Sequence, residues 1–351
     1  MTRAIELAWR GWGRVQPNPL VGAVILAQGE LGGEGWHAEF GDLHAETAAL
    51  AQAGDRARGA TMVVSLEPCA HAGKQPPCTD ALLRAGVRRV VVALADPDPV
   101  AAGGVQLLRA AGVEVEVGVL DEQAAAQNAI FLHCHRDRSR PFVALKLATT
   151  LDGRIADASG RSQWISGPPA RDYIQWLRAG FDAIAIGGAT ARTDNPSLTA
   201  RGPVAPRVPP RRIVFSRDGD LPHDLTVVQT ARDIPTLMVA TSDLPGDRLA
   251  ALEGSGVGVI SATDLASALV ELRARKVGSI LVEGGGRLAG SLLAAGLVDR
   301  YYWIQSPLWL GEDAVPAVGG LPAIPLGQAE RWRVVERRTL GEDTLLVADR
   351  R

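Results

Sequence analysis

The sequence predicts two α/β domains. The chain has 351 residues, and at roughly 150 residues per domain this length favours two. Short apolar stretches alternate with helix-like stretches in both halves, which is typical of sheets with parallel neighbouring strands. A charged segment that ends in proline, residues 133–141 (HCHRDRSRP), interrupts the alternation. We predict that it links one domain over residues 1–139 to another over residues 140–351.

The first half begins with a helix that Thr2 can cap and that carries Ile5, Ala8, Trp9 and Trp12 on one face. The Pro-Asn-Pro sequence at 17–19 ends it. Strands are then predicted at 20–27, 31–36, 61–66, 88–95 and 113–118, and helices at 45–53, 79–85, 103–111 and from 122 onward.

The second half repeats the alternation after a strand at 142–148 and a turn at 151–154. The Pro-rich stretch 202–210 is predicted as a loop within this domain, because strands of the same pattern flank it. Further strands are predicted at 181–187, 211–215, 225–228, 235–240, 278–282 and 300–306, and helices at 168–179, 264–275 and 286–295.

Composition excludes several classes of protein. The 37 basic and 39 acidic residues give a net charge of −2, which lacks the basic footprint of a nucleic-acid binder. No apolar run approaches the 18 or so residues of a membrane span. Three cysteines in a chain this long are no disulfide framework and suit a reducing cytosol. We therefore expect a soluble, cytoplasmic protein that binds neither nucleic acid nor membranes.

A candidate metal site stands in the first half. His44, Cys69 and Cys78 each fall near the start of a predicted helix or just after a strand. One imidazole and two thiolates form a typical catalytic zinc set, which leaves the fourth position for water. Glu46 lies two residues from His44 and can move a proton between that water and a leaving nitrogen.

The zinc deaminase signature is His-x-Glu followed by Pro-Cys-x-x-Cys. This chain has the first half and the Pro-Cys, but eight residues, 70–77, separate its two cysteines. The joint pattern favours a metal site over a chance grouping. The long spacing leaves the kind of deaminase open at this point.

Longer motifs identify the family that the chain resembles. The motifs are PNPLVG at 17–22, GEGWH at 33–37, HAE at 44–46, EPCAHAGKQPPC at 67–78 and DPDP at 96–99. They are similar to the deaminase half of the bifunctional deaminase/reductase of riboflavin biosynthesis, whose N-terminal domain is a cytidine-deaminase-like α/β/α domain. The resemblance implies zinc ligands at His44, Cys69 and Cys78 and a proton shuttle at Glu46. It implies substrate contacts at Asn18, His37, His71, Lys74 and Asp96. Asp98 departs from the family, which usually has Asn there.

A glycine run, residues 283–290 (EGGGRLAG), follows a predicted strand and opens a helix in the second half. Helix N-termini of this kind bind phosphate. The glycine spacing is not GxGxxG, and no acidic residue follows at the required distance, so a Rossmann dinucleotide site is excluded. By itself the run is as compatible with a tight turn as with a cofactor loop.

Other motifs of this half resemble the reductase half of the same family, a dihydrofolate-reductase-like α/β domain. They are KLATTLDGR at 146–154, SQWI at 162–165, the Thr190 to Arg201 stretch and VEGGG at 282–286. The resemblance implies NADPH contacts at Ala148, Trp164, Thr190, Asp194, Gly285, Gly286, Arg287, Leu288, Ala289, Gly290 and Ser291. It implies substrate contacts at Ser162, Arg178, Leu198, Arg201 and Glu283. Ser216 stands where the family usually has Asp, and Arg217 beside it can pair with a cofactor 2′-phosphate.

Together these observations predict two successive reactions on small phosphorylated pyrimidines. The first is a zinc-dependent hydrolytic deamination, and the second is an NADPH-dependent reduction of the opened ribose to ribityl. The resemblance also implies a homodimer or homotetramer. Two alternatives stay open: a nucleoside or RNA deaminase with an unrelated appendage, and a C-terminal half that senses a nucleotide without turnover.

Overall fold

The computed structural model describes residues 1–73 and 75–351, so Lys74, a predicted substrate contact, lies outside the described residues. The chain forms two compact units, Met1–Asp137 and Arg138–Arg351. Among the described residues, no helix has the length and apolar character that a membrane crossing requires.

The N-terminal unit is built on a five-stranded sheet of order β2-β1-β3-β4-β5. Its strands are β1 (Gly22–Ala27), β2 (Glu30–Trp36), β3 (Thr61–Leu66), β4 (Arg89–Leu94) and β5 (Glu114–Val117). The expectation of parallel neighbours holds for β3, β4 and β5 only, because β1 runs antiparallel to both β2 and β3. The two residues between β1 and β2, Gln28 and Gly29, both have positive φ. Such a two-residue turn closes an antiparallel hairpin.

The described residues of this unit also form six helices: α1 (Thr2–Ala8), α2 (Ala45–Ala53), α3 (Cys78–Ala85), α4 (Gly104–Ala110), α5 (Asp121–Gln127) and α6 (Ala129–Arg136), with 3-10 turns at Trp9–Gly11 and Gly54–Ala57. Two glycines of β2 allow α2 to lie against the sheet. A Cβ on Gly33 would lie 2.5 Å from the Ala49 carbonyl, and one on Gly35 would lie 2.3 Å from the Ala45 carbonyl. This close approach sets the position of the first turn of α2.

The linker prediction for residues 133–141 is wrong in its first part. Helix α6 continues to Arg136, so only residues 137–141 lie outside regular structure. The helix persists because Leu132 is buried and because His133, His135 and Arg136 stand in the last turn. Basic side chains at that end interact favourably with the helix dipole.

The C-terminal unit is built on a nine-stranded sheet of order β11-β10-β9-β8-β12-β6-β13-β16-β15. Its strands are β6 (Phe142–Thr149), β8 (Ala183–Gly187), β9 (Arg211–Phe215), β10 (Thr236–Ala240), β11 (Gly258–Ser261), β12 (Ser279–Glu283), β13 (Arg300–Gln305), β15 (Arg333–Leu340) and β16 (Asp343–Asp349). A separate two-stranded pair joins β7 (Arg154–Ala156) to β14 (Val315–Pro316). The strands from β11 to β13 are parallel, and β13, β16 and β15 are antiparallel.

The helices of this unit are α7 (Pro168–Arg178), α8 (Gly188–Asp194), α9 (Thr226–Gln229), α10 (Gly246–Gly254), α11 (Leu265–Ala274) and α12 (Gly286–Ala294), with a 3-10 turn at Leu326–Gln328. Strand β12 lies between β6 and β8, although the chain passes from β6 to β8 long before it forms β12. In open α/β sheets, ligands bind at the carboxyl edge where the strand order reverses in this way. The residues that end β6, β8 and β12 therefore mark the expected site.

Residues 225–228 were predicted as a strand, and this is wrong, because Thr226–Gln229 form the short helix α9. Val227 and Val228 are buried there, and a short buried apolar run looks the same in a helix and in a strand. The strand pair β15 and β16 was not predicted. Strand β15 lies at the sheet edge with mostly exposed residues, so it lacks the apolar alternation of an ordinary strand.

Candidate active sites

Three side chains meet in the N-terminal unit as the sequence predicts. His44 directly precedes helix α2, Cys78 is the first residue of α3, and Cys69 lies in the loop after β3. The Nδ1 atom of His44 lies 3.3 Å from Cys78 Sγ and 3.6 Å from Cys69 Sγ. The candidate ligand atoms of the three residues all lie within 4.8 Å of one another. Two helix starts and one loop therefore assemble the trio.

The chemistry of these donors fits a divalent cation. A hydrogen bond from the Cys78 thiol lowers the pKa of Cys69 to about 4, and the same contact raises the pKa of Cys78. The Cys78 amide adds a hydrogen bond to Cys69 Sγ at 3.4 Å. A zinc ion would be held by both cysteines as thiolates together with the His44 imidazole.

Glu46 is the candidate proton carrier beside these ligands. It stands in the first turn of α2 and is only 3% exposed. Burial raises its pKa to about 7, and its carboxyl group also interacts with the Cys78 thiol. A carboxyl group with a pKa near neutrality can both accept and donate a proton at physiological pH.

Two predicted substrate contacts, Asn18 and His37, lie beside this cluster. The His37 ring makes an edge contact with the His44 ring, with 5.5 Å between ring centroids. His37 Nδ1 lies 3.1 Å from the Leu43 carbonyl, and its Nε2 lies 3.1 Å from the Asn18 amide nitrogen. Since a carbonyl only accepts, these partners assign the proton to Nδ1 and make Nε2 the acceptor. Burial lowers the pKa of His37, which agrees with this neutral form.

Asp96 lies on the loop that follows β4. Burial raises the pKa of its half-buried carboxyl group, and its Oδ1 accepts the Asp98 amide at 2.9 Å. Asp98, the departure from the family, lies with its Oδ2 3.8 Å from His135 Nε2. The His71 Nδ1 atom is buried and has no hydrogen-bond partner among the described residues.

Glu67 holds the Asp96 loop, and sequence reasoning assigned it no role. It accepts a hydrogen bond from the Asp96 amide at 3.1 Å. The sequence offered one signal for such a role: Glu67 stands between a buried strand and Pro68-Cys69, and a charged residue is seldom buried without a partner.

A second cluster lies in the C-terminal unit, at the carboxyl edge of β6 and β12. Lys146 and Glu283 occupy paired positions on these adjacent strands, and Lys146 Nζ lies 3.8 Å from Glu283 Oε2. Arg178, the last residue of α7, donates to both oxygens of Glu283 at 2.5 and 3.0 Å. Burial lowers the pKa of Lys146. Burial alone would raise the pKa of Glu283, but Arg178 and Lys146 lower it.

The two arginines among the predicted substrate contacts, Arg178 and Arg201, have different surroundings. The guanidinium group of Arg178 donates to both oxygens of Glu283 and, at 2.9 Å, to the Thr199 carbonyl. Arg201 is exposed, and only its backbone amide has a partner, Gln175 Oε1 at 2.9 Å. Within the described part of the chain, the Arg201 guanidinium is therefore free to take an anion. Lys146 begins the KLATTLDGR motif at 146–154, but the sequence analysis predicts no site role for it.

Local contacts surround the predicted cofactor residues Thr190, Asp194 and Trp164 and the predicted substrate contact Ser162. Thr190 borders the start of α12, because a Cβ added to Gly285 would lie 3.1 Å from Thr190 Oγ1. Ser162 Oγ lies 3.5 Å from Asp194 Oδ1, and burial raises the pKa of Asp194. Trp164 is largely exposed, with the Arg171 guanidinium 4.7 Å from its ring centroid.

Other predicted residues of this half are placed mainly by packing. A Cβ on Gly286 would lie 2.5 Å from the Pro316 carbonyl, and one on Gly290 would lie 2.1 Å from the Gly319 carbonyl. Ala289 belongs to the core, and Leu198 is buried with a φ of +50°. Ala148 is half-buried on β6, and the other predicted residues of α12, namely Arg287, Leu288 and Ser291, are exposed or half-buried.

The segment after β9 carries the second departure from the family. Ser216 is buried and lies against Gly188, where an added Cβ would be 3.0 Å from Ser216 Oγ. Arg217 is exposed, and its carbonyl accepts a hydrogen bond from Ser242 Oγ at 2.6 Å. No described residue pairs with the Arg217 guanidinium group.

Family models match the two units separately. Residues 1–94 match the cytidine and deoxycytidylate deaminase zinc-binding region, and residues 141–346 match the RibD C-terminal domain. The fold and the two clusters thus define a bifunctional enzyme that joins a zinc-dependent deaminase domain to an NADPH-dependent reductase domain.

Full-length relatives identify the family. The chain is 39% identical over 364 residues to the riboflavin biosynthesis protein RibD of Escherichia coli, covering 99% of this chain and 97% of that protein. The solved structure of Acinetobacter baumannii RibD, form 1, has a TM-score of 0.82 at 36% identity, covering 100% of this chain and 97% of that chain. A diaminohydroxyphosphoribosylaminopyrimidine deaminase/5-amino-6-(5-phosphoribosylamino)uracil reductase of Thermotoga maritima has a TM-score of 0.83 at 34% identity, with the same coverage. The chain belongs to the RibD family of bifunctional deaminase/reductases of riboflavin biosynthesis.

The predictions of two α/β domains, of the family and of zinc and NADPH as cofactors are therefore confirmed. The roles of individual residues remain predictions.

Proposed function

We propose that this chain deaminates 2,5-diamino-6-ribosylamino-4(3H)-pyrimidinone 5′-phosphate and then reduces 5-amino-6-(5-phosphoribosylamino)uracil with NADPH to the ribityl product. The observation that carries the proposal is the presence of two chemically different clusters, one in each unit. The His/Cys/Cys trio with buried Glu46 suits hydrolysis, and the buried Lys146–Glu283–Arg178 group suits reduction.

In the deaminase unit, His44, Cys69 and Cys78 would hold zinc. When bound, zinc supplies Lewis-acid chemistry that lowers the pKa of a water toward about 7. Glu46 takes the proton from the attacking water and gives it to the amino group that leaves as ammonia, and its pKa of about 7 suits both steps. Asn18, held by neutral His37, contacts the pyrimidine edge.

In the reductase unit, bound NADPH would supply the hydride that reduces C1′ of the ribose. In the ring-opened form the C1′–O4′ bond is already broken, O4′ carries a proton, and C1′ is double-bonded to the nitrogen, so addition of a hydride to C1′ leaves this nitrogen to take up one proton. Lys146 is a suitable donor, because it is a buried ammonium group whose pKa is lowered from the usual value. Glu283 keeps Lys146 charged, and Arg178 holds Glu283 in place through two hydrogen bonds. Arg201, whose guanidinium group has no partner among the described residues, binds the substrate phosphate through charge-assisted hydrogen bonds.

The proposed division of labour places deamination in residues 1–139 and reduction in residues 140–351. Small phosphorylated pyrimidines are the proposed substrates, with no role for nucleic acid. We also propose a cytoplasmic homo-oligomer, a dimer or a tetramer. The small number of cysteines supports the location, because three cysteines in 351 residues form no disulfide framework and suit a reducing compartment.

The test follows two products from the purified, zinc-loaded chain. Ammonia is measured after addition of the diaminopyrimidinone phosphate, and NADPH oxidation is then followed with the deaminated product. Free cytidine and tRNA serve as competing substrates. Ammonia release from cytidine or tRNA alone would favour the nucleoside or RNA deaminase, and NADPH binding without oxidation would favour a sensing domain.

A further inference from the structure

Glu67 lies between the metal ligands and the loop that carries Asp96. It directly follows β3 and stands two residues before Cys69. Its backbone amide continues the sheet by donating to the Leu94 carbonyl at 2.9 Å. Residue 67 is therefore anchored to the sheet on one side and to the metal-ligand loop on the other.

The Glu67 carboxylate accepts three backbone hydrogen bonds from one loop. Its Oε1 accepts the Gly103 and Val105 amides at 3.1 and 2.9 Å, at the start of α4. Its Oε2 accepts the Asp96 amide at 3.1 Å. A single side chain thus fixes both ends of the segment from Asp96 to Val105.

Two further contacts attach this segment to the metal-ligand loop. The Ala70 amide donates to the Ala101 carbonyl at 3.2 Å. Gly104 approaches Pro68 so closely that an added Cβ would lie 1.8 Å from the Pro68 carbonyl oxygen. Movement of the Asp96 loop relative to Cys69 would break these contacts together with those of Glu67.

The hydrogen bonds of Glu67 separate two roles. Glu67 is 7% exposed and forms no ion pair within the described ranges, so the three amides compensate its buried charge. Oε1 accepts the two amides at the start of α4. Oε2 instead accepts the amide of Asp96, whose own Oδ1 accepts the Asp98 amide and whose Oδ2 has no partner in the described part of the unit.

We propose that Glu67 is a positioning residue for deamination: it fixes the backbone of Asp96 and so holds the Asp96 carboxylate at a set distance from Cys69 for contact with the substrate. This inference rests on the proposed function. It assigns Glu67 no contact with substrate or metal, and it predicts that Glu67 acts through Asp96.

The experiment is a double-mutant cycle on the full-length, zinc-loaded chain. Glu67→Gln keeps the shape, and its carbonyl oxygen can still accept from Gly103 and Val105 while its amide group faces the Asp96 amide. Asp96→Ala removes the carboxylate that Glu67 is proposed to position. Glu116→Gln is the matched control, because Glu116 is an exposed acid of the same unit, paired with Arg89 at 2.6 Å.

We expect Glu67→Gln and Asp96→Ala each to raise the KM of ammonia release on the order of tenfold, the effect of losing one charged hydrogen bond. The kcat and the zinc content stay close to wild type, and NADPH oxidation with the deaminated product is unchanged. The double variant is no worse than the more severe single variant, since both changes remove the same contact. Glu116→Gln behaves as wild type.

Three outcomes would overturn the inference. The KM of the double variant could rise by the product of the two single effects, the KM of Glu67→Gln could stay unchanged, or Glu67→Gln could lose kcat at constant KM. Glu67→Asp keeps the charge and guards against a folding defect of the glutamine variant. Loss of zinc or of folding in both variants would also overturn it, because Glu67 would then support the fold itself. Failure of the wild-type chain to release ammonia would instead refute the proposed function, and the inference with it.

Discussion

Replacing Glu283 by Gln tests the charge arrangement of the reductase site. Glu283 is 8% exposed, and its carboxylate lies 3.8 Å from Lys146 Nζ and within 3.0 Å of two Arg178 nitrogens. The substitution keeps the shape of the side chain but removes the one negative charge between two buried cations. Gln cannot stabilise the ammonium form of Lys146.

The size of the effect follows from the distance. At 3.8 Å and an effective dielectric constant of about 20, two unit charges attract by about 4 kcal/mol. Removing this attraction leaves burial and Arg178, both of which lower the pKa of Lys146. Lys146 donates a proton only below its pKa, so the alkaline limb of activity moves to lower pH. At a pH above the lowered pKa of Lys146, the variant is slower than the wild type by up to roughly a thousandfold, which is the factor that corresponds to about 4 kcal/mol.

The assay is NADPH oxidation with the deaminated substrate, measured across the pH range over which the wild type is stable. Glu271→Gln is the matched control in the same unit, because Glu271 forms an exposed ion pair with Arg275 at 2.8 Å. Such exposed pairs contribute less than about 1 kcal/mol. A folded Glu283→Gln enzyme whose alkaline limb coincides with that of the wild type would refute the role of Glu283 in keeping Lys146 charged.

Five further substitutions test the remaining assignments. Cys69→Ser or Cys78→Ser should lose zinc and ammonia release but keep NADPH oxidation. Elemental analysis and the two activity assays measure these changes, and a zinc-free variant that deaminates fully would contradict the metal site. Glu46→Gln should keep zinc but lose ammonia release by on the order of 10²-fold or more, and normal deamination would exclude Glu46 as proton carrier. Arg201→Ala should raise the KM for the substrate of NADPH oxidation, reflecting a loss of about 1.5–3 kcal/mol for a charged phosphate contact, and an unchanged KM in a folded enzyme would remove Arg201 from the site. Arg217→Ala should weaken binding of NADPH much more than binding of NADH in direct titrations, and equal losses for both cofactors would exclude a 2′-phosphate contact.

The sequence by itself determined the residues of the metal cluster. His44, Cys69 and Cys78 are recognisable because the ligand types are rare in this chain and because each stands where a helix begins or a strand has just ended. Most helices and strands were also predictable, since their apolar residues recur with the period of the element. The prediction of a strand was wrong at Thr226–Gln229, which form a helix, because four residues are too few to show the period of either element.

Tertiary structure alone decided which distant residues act together. Lys146 and Glu283 are far apart in the chain and meet because β6 and β12 pair in a register that sets them side by side. Arg178 stays a predicted substrate contact, but only the fold shows that its guanidinium group, at the end of α7, donates to Glu283. Glu67 likewise gains its partners only when the loop after β4 folds back onto it. Local sequence specifies the chemistry of a side chain and the period of its element, whereas strand register and loop closure depend on the packing of the whole domain.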